Sequence, residues 1–359
     1  MLIWSLRGLA ALIAIMTVLP FIPLSHWFVR SFEYPRVQIF VAALAVAVGI
    51  LVGSKDLSAL STDLILVICL VTCVAYQGYR VFPYTRLSKL QVSKQDGKAQ
   101  PKDTLRLLVS NVLKDNRDIT ALRRQIEHND PDVILLLETD AWWVDQLRFL
   151  EEPYPYQLKY PQDGFYGMAL YSKLKLTSDS EIRFLVENNI PSIFARIETS
   201  HKMNIELYGL HPKPPSPTGN ERSIERDAEL LIVAKDVRQR TRPTIVTGDM
   251  NDVAWSRTTR RFQRISGLLD PRIGRGIYPT FPAHLPLFRF PIDQAFLSEE
   301  LQLMDLKRLP DIGSDHFPLL IEVAIAPHLA NEHRLPEDAD SNDFKKAKET
   351  VKAAKAQQP

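Results

Sequence analysis

The sequence predicts an α+β domain preceded by three transmembrane helices, and two observations support this prediction. Residues 1 to about 80 carry few charges and three long apolar runs, whereas the chain after Arg86 has the mixed composition of a soluble protein. In that second part, many short apolar segments typical of strands alternate with a few helical patterns, which is characteristic of layered α+β folds. The length of 359 residues allows two or three domains.

Three apolar runs extend over Leu9–Leu24, Val37–Val52 and Leu57–Tyr79. A spanning helix needs about 20 largely apolar residues, which each run reaches or approaches once its flanks are included. A cleaved signal peptide is the alternative interpretation of the first run. Pro20, Pro23 and the lack of a small-x-small cleavage site argue against it. We therefore predict three spanning helices that hold the protein in a lipid bilayer.

The positive residues of the short loops predict the orientation of these helices. The N-terminus and the second loop share one side of the membrane and offer Arg7 and Lys55. The first loop and the segment after the third span share the other side and offer more: Arg30, Arg36, Arg80, Arg86, Lys89, Lys94 and Lys98. Because cytoplasmic loops carry an excess of Lys and Arg, this pattern places the soluble domain in the cytoplasm.

Overall charge and cysteine content constrain the function only weakly. The formal net charge of +2 favours no class of partner. The two cysteines, Cys69 and Cys73, both lie in the third apolar run. Their position excludes a disulfide framework and a cysteine-based zinc site in the soluble part, and it leaves the redox compartment open.

The soluble part divides into a polar linker over residues 84–103, a domain over residues 104–326 and a charged, disordered or marginally helical tail over residues 327–359. Helical periodicity is present at Ile119–Ile126 and between Glu221 and Arg240. Eight apolar segments are predicted to be strands: Leu105–Val112, Val133–Leu137, Gly167–Tyr171, Ser192–Ile197, Ile205–Gly209, Thr244–Val246, Ile292–Leu297 and Phe317–Val323.

Polar side chains cluster at the ends of these predicted strands, where a layered fold places its active site. Six places share this position, and they hold Asn111, Glu138, His211, the pair Asp249 and Asn251, Asp293, and the pair Asp315 and His316. Each place alone could be a helix cap or a turn. Such local explanations give no reason for all six to occur together.

These residue types suit the hydrolysis of phosphate esters. Carboxylate and amide oxygens are hard ligands that suit Mg²⁺ better than zinc, and Mn²⁺ is the alternative cation. A divalent cation neutralises phosphoryl charge and orients the leaving group. A carboxylate can position or deprotonate the attacking water, and a His–Asp pair can stabilise the transition state or transfer a proton.

The ordered motifs resemble those of the endonuclease/exonuclease/phosphatase superfamily, which has the deoxyribonuclease I-like fold. They are Ser110-Asn111-Val112, Leu136-Leu137-Glu138-Thr139, His211-Pro212, Gly248-Asp249-Met250-Asn251, Ile292-Asp293-Gln294 and Ser314-Asp315-His316-Phe317-Pro318. The resemblance covers about Thr104 to Ala326. It implies a four-layer αββα sandwich, Mg²⁺-dependent hydrolase activity, and a bacterial member anchored in the inner membrane.

The resemblance also implies a role for each motif residue. Glu138 corresponds to the principal metal ligand, with Asn111 beside it, and Asp315 to a carboxylate that assists a metal or its waters. Asp249 corresponds to the residue that activates water, and Asn251 to one that binds the scissile phosphate. His316 corresponds to the catalytic imidazole, oriented by Asp293, and His211 to a second histidine that could protonate the leaving group.

Two positions depart from the family pattern. Leu113 stands where many DNA-repair members carry an aspartate, which implies simpler metal coordination here. Gln294 stands where the family commonly has a histidine after the third carboxylate. Because Asp293 itself is retained, we expect catalysis to be preserved with a changed neighbour to the substrate.

The substrate is the least determined feature, because this superfamily hydrolyses DNA, RNA, inositol phosphates and sphingomyelin. The second histidine favours nucleic acid, and a phospholipid or small phosphoester is the alternative. The Pro286–Pro291 segment could touch a membrane or pack against the core. A basic patch could grip a polyanion and comprises Arg257, Arg260, Arg261, Arg264, Arg272 and Arg275. A non-catalytic scaffold is disfavoured because the motif residues are intact, and no protein partner is predicted.

Overall fold

A computed structural model describes residues 1–54, 56–58, 61–93 and 103–356. Its N-terminal part forms the helices α1 (Leu2–Val18), α2 (Trp27–Ser31), α3 (Arg36–Gly53) and α4 (Thr62–Val81). With their flanking turns, α1, α3 and α4 are each long and apolar enough to cross a membrane. The three predicted apolar helices are therefore present, although the first begins at Leu2 rather than at Leu9.

Polar residues inside this helical bundle are paired with one another. Arg7 donates to Asp63 at 2.7 Å, and Ser54 donates to the same carboxylate at 2.5 Å. This pairing explains why α1 extends through a charged residue that the apolar pattern excluded. Near the opposite end of the bundle, Arg36 donates to Gln77 at 2.9 Å. Lys55, Lys94 and Lys98, which contributed to the predicted orientation, lie outside the described residues.

The soluble part contains two six-stranded sheets. The strands are β1 (Thr104–Asn111), β2 (Val133–Leu137), β3 (Tyr156–Tyr160), β4 (Met168–Ser172), β5 (Lys175–Leu176), β6 (Glu181–Arg183), β7 (Ser192–Glu198), β8 (Asn204–Leu210), β9 (Thr244–Asp249), β10 (Asp293–Leu297), β11 (Leu301–Arg308) and β12 (Leu319–Ile325). The first sheet has the order β11-β12-β1-β2-β4-β3. The second has the order β10-β9-β8-β7-β5, with β6 also paired to β7.

The described residues of this part form five further α-helices, namely α5 (Ile119–Asn129), α6 (Ala141–Gln146), α7 (Ile224–Arg238), α8 (Arg257–Ser266) and α9 (Ser341–Lys355). The main core lies between the two sheets and includes Leu135 and Leu207. A second core joins the outer face of the first sheet to Leu122 of α5 and Trp143 of α6. A third joins the second sheet to α7 and α8. The result is the four-layer αββα sandwich, as predicted.

The C-terminal tail differs from the disordered or marginally helical segment that its composition predicts. Asp340 and Asp343 form a reciprocal capping box that starts α9. Val351 and Ala354 then pack against Ala228 of α7. A charged helix can be stable here because a narrow apolar stripe, rather than its mean composition, is buried.

The predicted linker is partly integrated into the domain. Val92 is fully buried in the core between the sheets. The side-chain oxygen of Gln91 accepts a hydrogen bond of 2.7 Å from the backbone of Asp270. Residues 84–93 therefore pack on the domain, and the remainder of the predicted linker, residues 94–102, lies outside the described residues.

The helical bundle contacts the sandwich through the connection between α1 and α3 and through the end of α4. The indole of Trp255 donates to the carbonyl of Glu33 at 2.7 Å, and the Tyr84 hydroxyl donates to the carbonyl of Ala254 at 2.9 Å. Arg30 is buried and lies 3.3 Å from the carboxylate of Asp252. Bundle and sandwich thus share a polar interface next to the Gly248–Asn251 motif.

Candidate active site

The sheet topology brings the predicted residues to one edge of the sandwich. In the first sheet, β1 and β2 run parallel, so Asn111 and Glu138 lie side by side at the same edge. In the second sheet, β8 and β9 run parallel and deliver His211 and Asp249. The antiparallel strand β10 starts at this edge, with Asp293 paired in register to Asp249.

Asp249 is the centre of the cluster. Its carboxylate accepts a hydrogen bond from the Asn111 amide at 3.3 Å. The same oxygen lies 3.7 Å from Nε2 of His211 and 3.6 Å from Nε2 of His316. Burial raises the pKa of Asp249, because an ionised carboxylate loses hydration there, although the two imidazoles act in the opposite direction. One carboxylate therefore joins residues from both sheets.

Glu138 lies beside this centre on the first sheet. Its Oε1 accepts a hydrogen bond of 2.9 Å from the Asn111 amide, and its Oε2 accepts one of 3.3 Å from the backbone of Lys114. Its backbone has a φ of 63°, which is unusual for a residue with a side chain. Burial raises the pKa of the Glu138 carboxyl. The Glu138 carboxylate is thus fixed by hydrogen bonds to protein groups instead of being hydrated by solvent.

His316 is held by a short hydrogen bond. Its Nδ1 lies 2.7 Å from Oδ2 of Asp293, and its ring packs at 4.7 Å against that of Phe281. Burial alone would lower the pKa of His316, but the carboxylates of Asp293 and Asp249 outweigh burial and raise it to about 10. At neutral pH the ring is therefore an imidazolium with its Nε2 directed towards Asp249.

His211 is buried beside Asp249 and packs at 5.5 Å against the ring of Tyr166. Its Nδ1 has no hydrogen-bond partner among the described residues. A buried nitrogen without a partner is costly in a folded protein. It is therefore a candidate for a contact with substrate or water.

The loop after β9 is fixed from several directions. Gly248 has a φ of 138°, and a Cβ at this position would lie 2.0 Å from the carbonyl of Leu210. Asn251 has a φ of 48°, donates its amide to Pro212 at 3.0 Å, and receives at its carbonyl two donors from outside the loop. These donors are the Tyr34 hydroxyl at 2.7 Å and the Arg226 guanidinium at 2.6 Å.

The Oδ1 of Asp315 is a buried oxygen without a hydrogen-bond partner among the described residues, so it is free to face a cation or its waters. Within the part of the chain that the structure describes, a further group of side chains is close enough to share a cation. It consists of Asp249, Asp293 and His316, whose ligand atoms lie within 4.8 Å of one another. Both arrangements offer oxygen donors that suit Mg²⁺.

Several residues that position the site were not predicted. Ser314 donates to the carbonyl of Asn111 at 2.9 Å and accepts from the backbone of His316, so it links two motifs. The hydroxyl of Thr280 accepts a hydrogen bond from the backbone of Asp293. Only Ser314 was visible in a motif. Tyr34 and Arg226 lie far from the motifs in sequence, and no local pattern marks them.

The predicted basic patch does not face a polyanion as a unit. Arg257 donates to backbone carbonyls of the connection between α1 and α3, and Arg272 forms a buried pair with Asp270. Arg261 and Arg264 both pair with Asp343 of α9. These guanidiniums bind groups of the protein itself and so stabilise the fold. The sequence did not predict this, because helical periodicity does not show which carboxylates lie opposite a basic residue.

The Pro286–Pro291 segment has an exposed apolar tip. Leu287 is 80% exposed and Phe288 is 53% exposed. Gln38, in the first turn of α3, donates to the carbonyl of Leu287 at 2.8 Å. The backbone of Phe290 pairs with that of Phe281, which packs on His316. This segment therefore connects the start of an apolar helix to His316.

Comparison with known proteins agrees with the fold. The profile of the Endonuclease/Exonuclease/phosphatase family matches residues 108–316, which is more than half of the chain. No curated protein matches the chain in sequence. Humanized D. rerio TDP2 carrying 14 mutations superposes with a TM-score of 0.51 at 17% identity, covering 61% of this chain and 98% of that one. The human Nocturnin catalytic domain gives 0.51 at 18% identity, covering 62% and 95%.

A bacterial structure is similar to the same degree. The endonuclease/exonuclease/phosphatase from Beutenbergia cavernae superposes with a TM-score of 0.50 at 15% identity, covering 63% of this chain and 72% of that one. The fold and the site together define a class of proteins whose members are typically hydrolases of phosphate esters. This chain belongs to the endonuclease/exonuclease/phosphatase family.

Proposed function

We propose that this protein is a divalent-metal-dependent phosphoesterase that is anchored in a membrane by α1, α3 and α4 and hydrolyses phosphodiester bonds. One observation carries the proposal. The Asp249 carboxylate lies within 3.7 Å of groups from both sheets, namely the Asn111 amide and the imidazoles of His211 and His316. A purely structural carboxylate has no need of two buried imidazoles beside it.

Glu138 and Asn111 would hold the metal, with Asp315 assisting, and Mg²⁺ or Mn²⁺ fits their oxygen donors. The buried carboxylates support this assignment. Burial raises the pKa of both Glu138 and Asp249, and a cation beside them would favour their ionised forms. When bound, the ion would neutralise charge on the phosphoryl oxygens.

The chain's own residues account for the remaining steps. Asp249 accepts a proton from the attacking water or holds that water in line with the phosphorus. The imidazolium of His316, kept protonated by Asp293, donates a hydrogen bond to a phosphoryl oxygen and stabilises its growing charge. Asn251 binds the scissile phosphate, and His211 protonates the leaving oxygen.

Nucleic acid is the first substrate class that we propose. The second histidine, His211, supports it, and the similar D. rerio TDP2 has been solved in complex with a single-strand DNA product. A phospholipid is the second candidate. The exposed apolar tip at Leu287 and Phe288, beside α3 and connected to His316, favours a substrate held in the bilayer.

The test uses the full chain in detergent with Mg²⁺, because the helical bundle and α9 pack on the sandwich. Plasmid DNA, RNA, phospholipid and phosphomonoester are offered to the wild type, His316→Ala and Asp249→Asn. We expect both variants to lose at least about 100-fold in kcat, and EDTA to abolish wild-type activity. His128→Ala is the control, since His128 is exposed on α5.

Each outcome has a defined meaning. Cleavage of lipid but not of nucleic acid would replace the first substrate class by the second. Wild-type activity in His316→Ala would overturn the proposed mechanism. Full activity in EDTA would overturn the metal dependence, and the absence of any hydrolysis across the panel would contradict the enzymatic proposal.

A further inference from the structure

A cavity of about 680 Å³ lies where the helical bundle meets the sandwich, and none of the strand-end motif residues lines it, whereas Arg260 of the predicted basic patch does. One wall comes from the apolar helices α3 and α4, through Phe40, Val74 and Gly78. The other comes from the sandwich and its C-terminal segment, through Trp255, Arg260 and Arg334. The cavity therefore joins an apolar surface to a basic one.

The basic end carries an excess of positive charge. Arg80, Arg260 and Arg334 line it together with one exposed carboxylate, Glu337. Among the described residues, none of these three arginines lies within ion-pair distance of a carboxylate. Arg80 instead donates to the carbonyl of Trp255 and, at 3.3 Å, to the hydroxyl of Tyr76. Their neighbours Arg261 and Arg264, by contrast, are neutralised by Asp343.

The position of the cavity indicates which anion suits it. Arg80 lies in the last turn of α4, which would lie at the edge of the hydrocarbon layer in the membrane anchoring proposed above. Tyr79 and Phe82, at the mouth of the cavity, are 66% and 50% exposed, as expected of aromatic residues at a membrane interface. Basic pockets between helices at this depth bind anionic lipid headgroups.

We propose that this cavity binds one anionic phospholipid, with its phosphate between Arg80 and Arg260 and its acyl chains along α3 and α4. The lipid is a bound ligand rather than the substrate. Because Arg80 also holds the carbonyl of Trp255, which follows Asn251 by four residues, the occupied site supports the loop that carries Asp249. The proposal rests on the membrane anchoring proposed above and is independent of catalysis.

Native mass spectrometry of the full chain tests the proposal. The protein is purified in mild detergent and offered equal amounts of phosphatidylglycerol and phosphatidylcholine. We expect the wild type to retain one phosphatidylglycerol. Arg260→Gln should lower its occupancy at least about fivefold, the effect of removing about one arginine's attraction for an anionic lipid. Arg124→Gln, at an exposed arginine on α5, should bind as the wild type does.

Three results would overturn the proposal. They are equal retention of both lipids, unchanged retention in Arg260→Gln, and displacement of the lipid by millimolar inorganic phosphate or glycerol phosphate. The last result would identify a simple anion site. Arg260→Gln is the decisive variant because the Arg260 side chain makes no hydrogen bond among the described residues, whereas Arg80→Gln also removes a contact with Trp255. Binding is read without turnover, so an inactive enzyme would leave the test intact.

Discussion

Two residues of the site have backbone conformations that residues other than glycine rarely adopt. The φ angles of Glu138 and Asn251 are 63° and 48°, and such conformations cost about 1–3 kcal/mol each. They persist only where neighbouring contacts stabilise them. At Asn251 those contacts include the Tyr34 hydroxyl, which comes from the connection between two apolar helices. A residue outside the sandwich therefore positions the loop that carries Asp249 and Asn251.

Replacing Tyr34 by Phe should lower kcat about fivefold and leave KM nearly unchanged. The substitution removes one hydrogen bond to the Asn251 carbonyl, worth about 1 kcal/mol, while Arg226 keeps the second. The loop then samples orientations in which Asp249 and Asn251 are misaligned for the transition state, while the substrate contacts made outside this loop remain. Steady-state kinetics of the full chain on the preferred phosphoester measure both parameters.

Tyr154→Phe is the matched control for this prediction. Tyr154 is buried, whereas Tyr34 is half-buried, and the Tyr154 hydroxyl donates to the Pro131 carbonyl at 2.8 Å, away from the loop that carries Asp249. Both variants should lose similar thermal stability, and only Tyr34→Phe should lose kcat. Equal kcat values in the two variants would show that Tyr34 stabilises the fold without positioning the site.

At the residue scale, the sequence predicted those site residues that belong to short motifs at strand ends. Asn111, Glu138 and Asp249 each follow an apolar strand, and strand ends converge at a sheet edge. Tyr34 precedes Asn251 by more than 200 positions, and no periodicity connects residues at that separation. The same reasoning explains why the basic patch was predicted to be open to a polyanion. Arg261 and Arg264 pair with Asp343, which lies on a helix in the segment whose composition predicted a tail.

At the scale of elements, all eight predicted strands are present, and the four that were missed share a cause. β3 and β11 are the outermost strands of the first sheet, and β5 and β6 each pair only with β7. An edge strand is incompletely covered and so lacks the continuous apolar run of a central strand. Prediction from apolar runs therefore finds the centre of a sheet and misses its edges.

The contact between α7 and β7 makes the stability of the domain depend on pH. Glu229 of α7 is buried, and it accepts a hydrogen bond of 2.7 Å from Ser192 of β7. Burial raises the pKa of Glu229 to about 8. Between about pH 4.5 and pH 8 the unfolded chain releases this proton and the folded chain retains it. The contribution of Glu229 to the free energy of unfolding therefore falls as pH rises through that range.

Glu229→Gln should remove this dependence, since glutamine keeps the acceptor and cannot ionise. The quantity compared is the difference between the free energies of unfolding of the variant and of the wild type. We expect this difference to be larger at pH 8 than at pH 5 by more than about 1 kcal/mol. Denaturant unfolding of the full chain at both pH values measures the difference. Glu127→Gln, in an exposed pair with Arg123, should show no such increase. A constant difference between Glu229→Gln and the wild type would refute the prediction.

At the scale of the whole molecule, the apolar helices and the sandwich share buried charge. Arg30, from the connection between α1 and α3, lies 2.8 Å from Glu33 and 3.3 Å from Asp252. Arg226 of α7 completes the group, 2.8 Å from Asp227 and 3.4 Å from the same Asp252. Asp252 immediately follows Asn251. The network therefore couples the connection between α1 and α3 to the loop that follows β9.

Arg30→Met should consequently affect both stability and activity. The variant keeps most of the side-chain volume but leaves the buried Glu33 without its cation and Asp252 with Arg226 alone, at a cost of about 3–5 kcal/mol. Thermal unfolding of the full chain in detergent should show the loss, and kcat should fall because the loop after β9 loosens. Arg123→Met, which breaks an exposed pair, should change unfolding by less than about 1 kcal/mol. If Arg30→Met matched that control in both measurements, the helical bundle would be a passive anchor, and the loop after β9 would owe its geometry to the sandwich alone.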